Sequence, residues 1–179
     1  MNCIVCMASV PDTASVIKIG GDGTGIDESG IKWIVSPYDE YALEEALQIT
    51  EANGGEVTVV TYGPDHAEAA LRDCLARGAH QAVHVLGGEA TLGDSLTIAK
   101  VLAAAIKDRE CDLVLCGFKG VGTDCAQVGQ MLAEILDLPH VNNVTELEVG
   151  GGSLTAGSDV EGGKEKTESP LPALVTCQK

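Results

Sequence analysis

Two apolar patterns alternate along this chain. Short, dominantly apolar runs occupy 2–7, 57–62, 82–86, 112–116 and 171–176. They read as strands buried on both faces, as in a parallel sheet covered by helices. Between them, apolar residues recur every three or four positions, the spacing of a helix with one face on a core. One helix runs from Ser36-Pro37 to Asn53, with Ala42, Leu43, Ala46, Leu47 and Ile49 as its stripe. A capping serine, a proline at the first helical position and the acids Asp39 and Glu40 mark its start, and Gly54-Gly55 its end. A second carries Ala67, Ala70, Leu71, Cys74 and Leu75 on one face, a third covers 96–106 behind Asp94 or Ser95, and a fourth is predicted over 124–137, stopped by Pro139.

Two stretches break the alternation. Residues 16–35 read as a hairpin-like insertion, with arms 16–19 and 31–35 around Gly20-Gly21-Asp22-Gly23-Thr24-Gly25. Residues 144–169 read as a small antiparallel β-meander punctuated by glycines, after which 171–176 returns to the main sheet. The prediction is one domain, 1–179. Its fold class is α/β: an open, mostly parallel, doubly wound, Rossmann-like sheet with right-handed crossovers and the small meander near the C-terminus. Such sheets bind ligands outside the carboxyl ends of their strands, where the strand order reverses. The loops beginning at Cys6, Tyr62 and Gly117 are therefore expected to converge on one crevice.

Composition sharpens this picture. Of 179 residues 45% are hydrophobic but only 3% aromatic, which suits a Val, Ile, Leu and Ala core. The net charge of −16 argues against a nucleic-acid or anionic-membrane surface, since both need basic patches. No apolar run approaches the ~20 residues that span a bilayer, and the N-terminus has no basic flank of a signal peptide; a cytoplasmic location is expected. Seven cysteines is an odd count for a disulfide framework. Cys3 and Cys6 have C-x-x-C spacing, but strand residues three apart face opposite sides, so two separate buried thiols are expected.

The strongest chemical signal is the loop Gly117-Phe118-Lys119-Gly120-Val121-Gly122-Thr123-Asp124-Cys125-Ala126-Gln127-Val128. It joins a buried strand to a helix start, where unpaired N–H groups and the helix dipole favour an anion. Phosphate contact and a tight surface turn both fit this spacing. No G-x-G-x-x-G follows the first strand and no Walker sequence occurs. Asp39 and Asp124 each read either as an acceptor for ribose or adenine or as a helix-start acid. Cys125 lies where a thiol's pKa is readily lowered, yet nothing local pairs it with a base. No catalytic triad or metal-ligand spacing is found.

Several segments together resemble the beta subunit of electron transfer flavoprotein: Val10-Pro11-Asp12-Thr13; the run IKWIVSPYDEYALEEAL at 31–47; Asp112 to Gly117 followed by Asp124-Cys125-Ala126-Gln127-Val128-Gly129; and Val160-Glu161-Gly162-Gly163 with PLPALVT at 170–176. The resemblance runs the length of the chain. It implies the adenine-nucleotide-binding type of this fold and an electron carrier without a catalytic site. That carrier pairs with an alpha subunit as a heterodimer and takes electrons from acyl-CoA or other dehydrogenases. The beta subunit itself binds FAD or AMP. Carried over residue by residue, its contacts fall on Cys6, Ala8, Ser36, Pro37, Tyr38, Asp39, Tyr62 and positions 117 to 128. Ala8 stands where the family commonly has lysine and Ser36 where it has asparagine. Val128 replaces the threonine of AMP binders, and Ala126-Gln127-Val128-Gly129 is more similar to the FAD-binding, electron-bifurcating version. The family usually continues past the position of Lys179 into a segment that grips its partners. A bifurcating subunit using NADH and a stand-alone adenine-nucleotide sensor are the alternative readings.

Overall fold

The structure, a computed structural model, describes residues 1–87, 94–121 and 123–178. Its elements in chain order are β1 (Cys3–Cys6), β2 (Ser9–Pro11), β3 (Trp33–Val35), α1 (Pro37–Asn53), β4 (Val57–Gly63), α2 (Ala67–Ala76), β5 (Gln81–Leu86), α3 (Ser95–Ile106), β6 (Leu113–Gly117), α4 (Val128–Ile135), β7 (His140–Gly150), β8 (Ser153–Val160), β9 (Gly163–Pro170) and β10 (Ala173–Cys177). Eight strands form one sheet in the order β5-β4-β1-β6-β10-β7-β8-β9, while β2 and β3 pair separately. From β5 to β7 all neighbours are parallel. β8 and β9 extend the sheet antiparallel, so the glycine-punctuated tail is continuous with it. The fold class is the α/β, doubly wound sheet that the alternating pattern predicts.

The winding direction positions everything else. From β1 the chain moves outward to β4 and β5, then crosses back to place β6 on the other side of β1. The strand order therefore reverses between β1 and β6, and the gap at their carboxyl ends is the switch point. Helices α1 and α2 cover one face, packing Ala42, Leu43, Ala46, Ala70, Leu71 and Cys74 against Cys3, Val5, Val57 and Val59. Helices α3 and α4 cover the other, packing Ala99, Leu102, Ala103, Leu132 and Ala133 against Ile4, Cys6, Val60, Val114 and Cys116. Strand alternation thus puts Cys3 and Cys6 in different layers, and all seven cysteines are free.

Four expectations need correcting. The arm 16–19 is not a strand. Val10 of β2, not the 16–19 arm, pairs with Ile34 of β3. The excursion keeps only an isolated bridge between Ile19 and Ile26. No layer covers it, and Val16 and Ile19 stay 78% and 77% exposed. The fourth helix begins at Val128 rather than Asp124, because Asp124 (φ 53°) and Ala126 (φ 49°) are left-handed and cannot propagate a helix. Ser36 precedes α1 but its side chain makes no capping hydrogen bond. Leu75 turns outward, 40% exposed, at the end of α2. Trp33 stacks on His66 at 3.5 Å between ring centroids and 9° between planes, fastening the small β2–β3 pair to the start of α2.

Close approach of α4 to β10 depends on Gly129. A Cβ there would lie 2.5 Å from the Thr176 γ-methyl. Thr176 is buried and pinned, its hydroxyl donating to Asn142 Oδ1 and accepting from the Asn143 N–H. In an exposed helix Gly→Ala gains ~1 kcal/mol. At this site the sign should reverse: Gly129→Ala is expected to destabilise the protein by about 1–3 kcal/mol, as read by urea unfolding.

Candidate functional site

Three chain segments meet at the switch point: the residues after β1, the end of β6, and the first turn of α1. The centre of the junction is Asp39. It is the third residue of α1 and is buried. Its Oδ2 accepts the Ala8 N–H at 2.8 Å and its Oδ1 accepts the Gly117 N–H at 2.8 Å. The Ser36 N–H donates back to the Ala8 carbonyl at 2.9 Å, and the Thr61 hydroxyl of β4 donates to the Met7 carbonyl at 2.6 Å. Gly117 is required by this closeness, because a Cβ on it would stand 2.4 Å from Asp39 Oδ1 and 2.8 Å from Tyr38 Cβ. Burial drives the Asp39 pKa up to about 7, opposed by the hydrogen bonds from the Ala8 and Gly117 amides.

Beyond Gly117 the loop folds on itself. The Phe118 N–H is taken by the Cys177 carbonyl at 2.9 Å, and its ring meets Tyr38 edge-on, centroids 4.8 Å apart. Lys119 pairs with Asp124 at 2.9 Å, which raises the lysine's pKa, and lies 5.3 Å from the Phe118 ring centroid. The Asp124 N–H closes a turn onto the Gly120 carbonyl at 3.0 Å. Asp124 is therefore the ion-pair partner of Lys119, four residues ahead of α4, and not a helix-start acid. Cys125 is exposed, its thiol 3.5 Å from the Thr123 carbonyl. Gly122 lies outside the described residues.

The stretch from Cys125 to Gly129 is chemically open. Among the described residues, nothing accepts from the main-chain N–H groups of Cys125, Ala126, Gln127, Val128 or Gly129. These five amides lead into and begin α4, where the helix dipole adds partial positive charge. The left-handed φ of Ala126, disfavoured for a residue with a Cβ, is the kind of local strain that clusters at binding sites. An anion here would be held by main-chain dipoles, without a lysine.

The expected site residues thus divide. Ser36, Pro37, Tyr38 and Asp39 in α1's first turn, Ala8 after β1, and Gly117 with Phe118 after β6 are brought together at the switch point. Cys6 is buried in the layer beneath α3 and α4, so its side chain belongs to the core. Tyr62 is half-buried at the end of β4, its ring so close to Gly87 that a Cβ on that glycine would lie 2.0 Å away. A polar group at the carboxyl end of β10 escaped the sequence reading. Thr176 and the Gln130 side-chain amide both donate to Asn142 Oδ1, at 2.5 and 3.0 Å. The only hint was a threonine within an apolar run and the Asn142-Asn143 pair. A recess of about 410 Å³ within the excursion, lined by Asp12, Ser15, Lys18, Asp27, Ser29 and Lys32 among others, contains none of the strand-end residues.

Comparison with known proteins converges on one family. The electron transfer flavoprotein domain matches residues 23–179. Electron transfer flavoprotein subunit beta of Bacillus subtilis is 42% identical, over all of this chain and 69% of its own length. The caffeyl-CoA reductase-Etf complex subunit CarD of Acetobacterium woodii is 40% identical, over all of this chain and 69% of its own. Protein FixA of Azotobacter vinelandii is 37% identical, over 98% of this chain and 65% of its own.

The titration of Asp39 has a definite sign. Its folded pKa, about 7, lies above its ordinary value of 3.8. Between those values the folded protein binds the extra proton, so stability is greatest at acid pH and declines as pH rises through 7. The stability of wild type relative to Asp39→Asn, from urea unfolding, should fall as pH rises from 4 to 7.5. A difference that is flat across that range would contradict the raised pKa of this carboxyl.

Proposed function

We infer that this chain, which belongs to the electron transfer flavoprotein family as a beta subunit, holds FAD or AMP at its switch point and pairs with an alpha subunit. Together the two would carry electrons from a dehydrogenase to a downstream acceptor. The observation that carries this reading is the row of amides from Cys125 to Gly129, for which no main-chain acceptor is found among the described residues, beside the β1–β6 gap. Five N–H donors at a helix start suit a nucleoside phosphate or a pyrophosphate. They also explain how a chain of net charge −16 can hold an anion.

In this reading each residue has a limited task. The amides of 125–129 bind phosphate. Tyr38 and Phe118, locked edge to face, wall the gap on the α1 side. The Lys119–Asp124 pair holds the loop's shape and occupies the loop's lysine. FAD, when bound, supplies the electron-carrying chemistry, whereas AMP is a structural ligand. Val128, which has no hydroxyl, favours FAD over AMP. No helix among the described residues is long and apolar enough to cross a membrane, and the beta subunit is read as a carrier with no catalytic site of its own.

The released ligand decides the matter. Protein purified without added nucleotide, alone and co-expressed with an alpha subunit, is denatured and the supernatant identified by mass spectrometry; FAD or AMP is expected. A ligand in excess stabilises by RT ln(1 + [L]/Kd), ~2.7 kcal/mol at 100 times Kd, so the same nucleotide should raise Tm. No released nucleotide, and no Tm change with either one, would contradict the assignment.

A further inference from the structure

We propose that Asp39 is a positioning residue for the nucleotide site: it touches no ligand but sets the spacing between the two loops that flank the switch point. This rests on the nucleotide reading above. The sequence suggests a different role, an acid that accepts from ribose or adenine, and the geometry argues against it. Both carboxyl oxygens are engaged at 2.8 Å by main-chain N–H groups of the protein, one from the segment after β1 and one from the end of β6. The residue is only 7% exposed.

Three features make Asp39 more than a stray buried acid. The two amides it holds belong to the two strands between which the sheet reverses direction, Ala8 following β1 and Gly117 ending β6. The return bond from the Ser36 N–H to the Ala8 carbonyl makes the first turn of α1 a two-point bracket on the β1 segment. At the other end there is no slack, since Gly117 leaves no room for a Cβ against Asp39 and Tyr38. The binding loop starts from that glycine, so its course towards Cys125–Gly129 is set by where Asp39 holds the Gly117 amide. Once Asp39 is ionised these are charge-assisted N–H···O⁻ bonds, the strong kind, and removing the acceptor leaves two part-buried donors unpaired.

The test is AMP binding by calorimetry to the full chain, AMP being the moiety FAD shares. Asp39→Asn keeps the shape but offers one acceptor for two donors. Gly117→Ala pushes the same contact apart from the other side. Leu154→Ala, a buried leucine on β8 in the antiparallel extension, serves as a destabilised control, since β8 pairs only with β7 and β9. We expect AMP affinity to fall at least tenfold in Asp39→Asn and in Gly117→Ala, and by less than twofold in Leu154→Ala despite its lower Tm. The Ala8 and Gly117 amide resonances should move upfield in Asp39→Asn and stay in place in Leu154→Ala. If either site variant fails to fold, the other carries the test. Wild-type binding of AMP with equal affinity in the folded site variants would overturn the positioning role alone. A wild-type chain that binds neither AMP nor FAD would overturn the nucleotide reading, and this proposal with it.

Discussion

One carboxylate, out of water and bonded to two backbone amides, fixes the working end of this molecule. Asp39 reaches across from the first turn of α1 and grips the β1 segment and the β6 end together. Everything at the carboxyl edge is placed relative to that grip: Tyr38 and Phe118 are set edge to face, Gly117 has no space for a side chain, and the loop to α4 departs from a fixed point. A buried charge is costly unless its hydrogen bonds are satisfied. Here the two amides offset part of that cost, and the remainder appears as an elevated pKa.

The second constraint is electrostatic. An anionic ligand approaching a protein with 27 acidic and 11 basic residues gains nothing from the overall field. Recognition must come from short-range dipoles. The loop supplies them by refusing regular structure: Asp124 and Ala126 take left-handed conformations, and the helix begins only at Val128. Among the described residues the amides of 125–129 are thereby left without main-chain acceptors. Lys119 in the same loop is paired with Asp124, so in the proposed reading a phosphate would be met by backbone. The chain belongs to the electron transfer flavoprotein family, in which the subunit beta of Bacillus subtilis is 42% identical to it.

How much of this was written in the sequence varies by element. The central strands were legible because double-sided burial demands unbroken apolar runs, as in β1, β4 and β6. The separation of Cys3 from Cys6 followed from strand alternation alone. The start of α4 was not legible, since glycine-rich spacing cannot show which residues adopt positive φ. Residues 16–19 carry a strand-like apolar pattern, yet Val16, Ile17 and Ile19 lie exposed. Position 39 was visible as a candidate, but its partners lie 31 and 78 residues away. Only the topology shows that its oxygens are spent on amides. The Thr176–Asn142–Gln130 group is invisible for the same reason, being assembled by packing α4 on β10.

Main-chain amides at one place are what would hold the anion, and amide resonances report on them directly. Titrating AMP into ¹⁵N-labelled protein and following each N–H cross-peak is the most direct measurement. The prediction is large downfield movement of the Cys125, Ala126, Gln127, Val128 and Gly129 amides, with little change in the 12–32 excursion. Unmoved amides at 125–129 under saturating nucleotide, with shifts concentrated elsewhere, would contradict it.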